Sequence, residues 1–170
     1  MTITNNQKIN PIIYRARVAR LATADSKAIP HIVPVVFAFD GEKYYIPVDE
    51  KPKITKPDKL RRIKNIEVNP AVALLIDEYN EDWNKLLFII IRGKASIVGK
   101  RRENDEDAEE QQENSDDNDK LLKKAHELLF MKYPQYQHID IGELCILIYP
   151  LKTIFWSMLS RENKQENHFI

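Results

Sequence analysis

The stretch IPHIVPVVFAFDGEKYYIPV, residues 29–48, decides the fold class. Its first eleven residues are rich in β-branched and aromatic side chains, which suit a pleated, half-buried surface. Asp40-Gly41 follows, and residues 43–48 return as a second apolar run. An Asp-Gly pair between two such runs predicts a two-residue β-hairpin, because both turn positions must tolerate a positive φ. Pro34 and Pro47 have no N–H to give a ladder, so each predicts a sheet edge, a bulge or an interruption. Interruptions of that kind often flank ligand sites.

Working outward, residues 17–24 read as a strand that ends in the turn Asp25-Ser26-Lys27. Residues 71–76 and 86–98 read as strands, the second with an internal Arg92-Gly93, and residues 144–149 and 153–158 as two strands around Pro150. Two helices lie between them. The first starts near Thr55, a candidate cap, with Asp58 three residues later; Leu60, Ile63 and Ile66 form its apolar side, with Arg61, Arg62 and Asn65 opposite. Asn69-Pro70 ends it. The second carries Leu121, Leu122, Ala125, Leu128 and Leu129 and stops before Pro134. Short strands joined by hairpins, with two or more helices, predict a mostly β (α+β) antiparallel, Greek-key-like barrel rather than an alternating βαβ sheet.

The chain has 170 residues, equal numbers of acidic and basic side chains, and one cysteine, Cys145. That length fits one domain, residues 1–160, followed by a loose polar tail at 161–170. A single cysteine excludes an intrachain disulfide and favours a reducing, cytoplasmic setting. The N-terminal MTITNNQKIN lacks the apolar core of a secretory signal, and the longest apolar stretch, residues 86–91, is too short to span a bilayer. Residues 101–119, RRENDEDAEEQQENSDDND, hold ten of the 26 acids and two of the 26 basic residues. This stretch has too little apolar surface to offset the entropy of ordering, so it reads as a disordered acidic insertion. The remainder keeps 24 basic residues against 16 acids, which suits an anionic ligand.

Metal and nucleophile chemistry find little support. The four histidines are scattered, with His138 and Asp140 the nearest approach to a ligand pair, and no metal is expected. Cys145 lies in an apolar run and reads as an inert buried thiol. The basic strip VDEKPKITKPDKLRRIKN, residues 48–65, is more informative, with seven Lys and Arg against three acids. Lys51 and Lys53 follow a strand and precede a helix N-terminus, a combination that attracts anions. Trp83 stands in the polar turn DEYNEDW, where an exposed aromatic would pack on a partner chain or a planar ligand. A nucleic-acid role for Lys56, Lys59, Arg61 and Arg62 lacks an interleaved aromatic platform.

ARVARLATADSKAIPHIVPVVFAFDGEKYYIPVDEKPK, LRRIKNIEVNP, AVALLIDEYNEDW and IIIRGKASIV together resemble the pyridoxamine 5′-phosphate oxidase-like split β-barrel family, over residues 15–98 and more weakly over residues 142–158. Within it the combination of DEKPK, LRRIKN and DEYNEDW is most similar to the branch regarded as coenzyme F420-dependent. The resemblance implies a homodimer that holds a flavin or deazaflavin across its interface and transfers hydride to or from a small organic substrate. It implies that Lys51 and Lys53 meet the cofactor phosphate and that Pro34, Val35, Val36, Val48 and Asp49 line the ring through backbone groups. Arg61 and Arg62 would hold the acidic tail of F420, Trp83 would complete the site at the interface, and Tyr79 is a candidate proton donor. FMN is the alternative cofactor, and a non-catalytic flavin- or haem-binding protein the alternative function. The family's FMN oxidases carry an arginine and a lysine on the second strand, where this chain has Val33 and Ala38.

Overall fold

The structure, a computed structural model, describes residues 5–48, 60–99 and 115–158. In chain order the elements are α1 (Asn5–Arg15), β1 (Ala19–Ala24), β2 (Pro30–Val35), β3 (Ala38–Phe39), β4 (Tyr44–Pro47), α2 (Arg61–Val68), β5 (Ala71–Glu78), β6 (Leu87–Gly99), α3 (Ser115–Lys132) and β7 (Leu144–Ser157). All strand pairs are antiparallel, in the order β2-β1-β5-β6-β7-β4-β3.

That order forces closure. β2 and β3 are the two outermost strands, yet only Val36 and Phe37 separate them in sequence. Laid flat, seven strands would put these edges about 29 Å apart. Three residue steps reach about 11 Å at most. The sheet therefore curls into a barrel closed by the chain itself at Val36-Phe37, the antiparallel split barrel that the sequence predicts. The interior is filled from every strand and from both flanking helices: Ile9 and Ile13 of α1 and Ile63 and Ile66 of α2 pack with Phe37, Leu74, Ile89 and Ile146. A second cluster lies outside the barrel, where Ala125, Leu129 and Tyr133 pack against Ala38, Tyr45 and Leu147. Thus α3 covers the β3–β4 side.

Several expectations need correction. Residues 29–39 form two strands rather than one, because the chain must cross from one sheet edge to the other at Val36-Phe37. The Asp40-Gly41 turn spans four residues, not two, since Phe39 pairs with Tyr44. The Asp40 carboxylate accepts the N–H groups of Glu42 and Lys43 and stabilises this longer turn, with Gly41 at φ +100°. Residues 144–157 form one strand, not two: Arg92 pairs with Lys152 and Gly93 with Pro150, leaving Leu151 as the bulged residue, 72% exposed. A Cβ on Gly93 would lie 2.3 Å from the Tyr149 carbonyl oxygen, so only glycine fits there. The acidic stretch is helical from Ser115 onward, inside the 101–119 segment expected to be unordered. Asp116 and Asp117 stand in the first turn of α3, where negative charge complements the helix dipole. Residues 101–114 and 161–170 lie outside the described residues. Finally, α1 was not expected; Ile9, Ile12, Ile13 and Ala16 have helical spacing, but Pro11 and the asparagines obscure it.

Candidate cofactor site

α2 begins at Arg61, with Leu60 in extended conformation before it and no side chain capping its first turn. Thr55 and Asp58 lie outside the described residues. No acid occupies the first turn; Arg61 and Arg62 stand there instead. Cations at a helix N-terminus oppose the macrodipole. Arg61 pairs at 3.5 Å with Asp25, whose carboxylate also accepts the N–H groups of Ile29 and Lys27 and is held below the usual carboxylate range, first by the Ile29 bond. Asn65, expected on the solvent side, is buried: its amide donates to Thr23 Oγ1 at 3.0 Å and ties α2 to β1. Val48 is also buried, and its N–H is engaged by the Leu144 carbonyl at 3.0 Å. What Val48 can offer a ligand is its own carbonyl. Asp49, Lys51 and Lys53 lie outside the described residues.

The ring-lining candidates stand at the other end of β2. Pro34 pairs with Arg20 and Val35 with Ala19, whereas the Asp25 turn adjoins Pro30. From His31, which pairs with Thr23, to Val36 is five residues, about 16 Å along a strand. Pro34 faces outward, Val35 is in the core and Val36 is half-buried. Val35 can therefore contribute only through its backbone. The β5–β6 hairpin tip lies at this same end, since Arg20 pairs with Leu75 near the end of β5 and Arg15 bonds Glu78 at 2.7 Å. Trp83, in a short 3-10 turn at that tip, is 63% exposed, so it does not pack into the core of this chain. Tyr79 is exposed as well, its hydroxyl 3.4 Å from a Glu81 carboxylate oxygen. The structure thus divides the predicted residues between an end with Arg61, Arg62 and Val48, and an apolar end with Pro34, Val35, Val36 and Trp83.

Between these ends the outer sheet face carries apolar residues interrupted by Arg20, Asp77, Arg92 and Lys152, with Arg20 and Asp77 paired to each other. Residues opposite each other in an antiparallel pair share a face. Ile32, Pro34, Leu75, Ile90 and Ile154 therefore point outward together, and Phe88 and Trp156 stack beside them at 5.3 Å. Ile32 is 64% exposed.

One residue of this region escaped the sequence reading. Tyr133, just past the end of α3, buries its hydroxyl against the barrel seam, within hydrogen-bond distance of Phe37 N, Phe37 O and Arg17 O. Lys132 places its ammonium 4.0 Å from the Phe37 ring, and burial, aided by the Arg17 charge, lowers its pKa to about 8. No sequence signal marks these contacts, because they join residues about a hundred positions apart. Cys145 is buried as expected, its thiol pushed up to about 12 by desolvation. Among the described residues no group of three or more His, Cys, Asp or Glu is placed to hold a metal ion, and no helix is long and apolar enough to cross a membrane. An open groove of about 480 Å³ along α3, lined by His126, Glu127 and Phe130, shares no residue with the predicted site.

No curated protein matches the sequence. Among solved structures, the chain is similar to a conserved hypothetical protein of Mycobacterium tuberculosis, at 18% identity over 94% of this chain and 89% of that one, with a TM-score of 0.66. It is similar to an FAD-binding protein of Mesorhizobium loti (15% identity, 87% and 91% coverage, TM-score 0.58). A haem storage protein of Vibrio cholerae also shares the fold (15%, 92% and 95%, TM-score 0.53). The family model for pyridoxamine 5′-phosphate oxidase matches residues 6–132, most of the chain and every described strand but β7, so this protein belongs to the pyridoxamine 5′-phosphate oxidase family.

Proposed function

We propose that this protein is an oxidoreductase that binds a tricyclic redox cofactor, the deazaflavin F420 ahead of FMN, at the interface of a homodimer. The observation that carries the reading is the first turn of α2, where Arg61 and Arg62 stand in place of the acids a helix N-terminus favours. A ligand anion there would add to Asp25, which already pairs with Arg61, and the sequence outside residues 101–119 is basic as well. F420 presents a phosphodiester and a carboxylate-rich tail, so a strip running from Lys51 and Lys53 to Arg61 and Arg62 suits it better than it suits a single phosphate. The absence of the FMN oxidases' basic pair, with Val33 and Ala38 in those places, points the same way.

The apolar end supplies the seat for the ring. Pro34 gives a flat outward surface without a donor, Val36 gives its backbone, and Trp83 gives an exposed aromatic face. The outer face around Ile32, Leu75 and Ile90 fits a second copy of the chain, whose arrival would exclude water from the seat. The bound cofactor supplies the hydride chemistry, and the protein supplies binding, orientation and electrostatics. Tyr79 is the candidate to hold a proton near a small organic substrate. A non-catalytic flavin- or haem-binding role is the second reading, favoured by the haem storage protein that shares the scaffold. Turnover with candidate acceptors separates the two.

The test compares F420 with a deazaflavin lacking the tail. Lys53→Ala should weaken both by about ten- to hundredfold, the loss of one charge-assisted contact. Arg61→Ala and Arg62→Ala should weaken F420 alone. Wild-type affinity in all three variants would refute the assignment.

A further inference from the structure

The Val36-Phe37 link lies outside both flanking ladders, since β2 pairing ends at Val35 and β3 pairing begins at Ala38. Its backbone groups are claimed instead by one side chain from the far end of α3. Tyr133 Oη accepts the Phe37 N–H at 3.1 Å and lies 2.9 Å from Phe37 O and 2.8 Å from Arg17 O. Its single proton serves one of those two carbonyls at a time. The ring is itself fixed: the Arg17 guanidinium stacks over it at 4.3 Å and donates to the Lys132 carbonyl, and Tyr136 meets it edge-on at 6.0 Å.

Phe37 N–H and Val36 C=O belong to one peptide plane, and no described peptide bond is cis. In a planar trans peptide these two groups point in opposite directions. A tyrosine that holds the N–H toward α3 therefore aims the Val36 carbonyl away from α3. The pyrimidine edge of flavins and deazaflavins carries a single N–H between two carbonyls, and a fixed carbonyl acceptor is its complement. We propose that Tyr133 is a positioning residue for the cofactor ring, holding the Val36-Phe37 peptide so that the Val36 carbonyl accepts the pyrimidine N–H. This rests on the cofactor reading above and adds to it the residue that orients the ring.

The test compares FMN with 3-methyl-FMN, which lacks that N–H, and the same pair in the deazaflavin series, by equilibrium fluorescence titration. Wild type should bind the unmethylated ligand roughly tenfold more tightly, the worth of one hydrogen bond to a preorganised acceptor. Tyr133→Phe keeps the ring and removes the hydroxyl; it should bring the methylated and unmethylated ligands to within about twofold of each other. A merely structural tyrosine would lower the melting temperature without changing this ratio. If Tyr133→Phe does not stay folded, replacing Tyr133 with 3-fluorotyrosine, a weaker acceptor for the Phe37 N–H, should narrow the ratio in the same direction. Equal binding of methylated and unmethylated ligand by wild type, or an unchanged ratio in a folded variant, overturns the proposal. Wild type that binds neither series refutes the cofactor reading itself.

Discussion

Asp40 joins the β3–β4 turn to α3, and its removal gives a prediction whose size the structure sets. The side chain is only 7% exposed and accepts four hydrogen bonds, from Lys124 Nζ, Glu42 N (2.9 Å), Lys43 N (2.7 Å) and Tyr45 Oη (2.8 Å). Burial alone would raise its pKa, but these four donors outweigh it and hold the carboxyl far below its usual range. Asp40→Ala leaves two turn N–H groups and a buried phenol without their acceptor. Losing hydrogen bonds to a charged acceptor in this way costs about 1.5–3 kcal/mol. For a chain of this size that is a fall of roughly 3–12 °C in melting temperature. Lys124→Met should cost far less, about 0.5–1 kcal/mol, because that lysine is half exposed and its charge is screened. The pH dependence follows from the direction of the shift. A carboxyl whose folded pKa lies below its unfolded value of about 3.9 stabilises the fold fully above that value. The contribution fades as the pH falls through the folded pKa. Urea midpoints of wild type and Asp40→Asn should therefore differ most at pH 5–7 and converge below pH 4. A gap between the two that is constant from pH 7 to pH 3, or an Asp40→Ala loss below 1 kcal/mol, would refute the reasoning.

Three further outcomes follow from packing. Gly93→Ala forces a Cβ against the Tyr149 carbonyl and should destabilise by about 3 kcal/mol or more, seen as a lower midpoint in chemical denaturation. Asn65→Ala should cost about 1–2 kcal/mol by leaving Thr23 without its buried donor, whereas the double variant with Thr23→Val should cost less than the sum, a coupling that a double-mutant cycle measures. Ile32→Asp, on the outer face, should leave the melting temperature of the monomer nearly unchanged but lower the mass seen by light scattering from dimer to monomer; a dimer that survives the charge would move the interface elsewhere.

The barrel was legible because its signals are local. Period-two apolar runs, prolines and the Asp40-Gly41 pair each act within a few residues, and they marked the strands of both flanks. What the sequence could not specify were features decided by distant partners. The break at Val36-Phe37 exists only because β2 and β3 end on opposite edges of one sheet, which no local pattern states. Pro150 looked like a strand terminator, yet the bulge at Leu151 and the bare backbone of Gly93 let the ladder continue past it. Asn65 looked like a solvent-facing residue until Thr23 gave it a buried partner. At the site, Arg61 and Arg62 were readable as charge clustered near a helix start, and Trp83 as an aromatic in a polar turn. Tyr133 was not, because its role depends on a backbone segment 96 residues away.

The most direct test of the central claim is the absorption spectrum of the purified protein titrated with F420 and, separately, with FMN. A saturable shift in the cofactor band is expected at one equivalent per chain, tighter for F420, with affinity that falls as salt rises because the tail is held by charge. A spectrum that neither cofactor perturbs at tens of micromolar would contradict it, and would return the basic turn of α2 to an ordinary solvated surface.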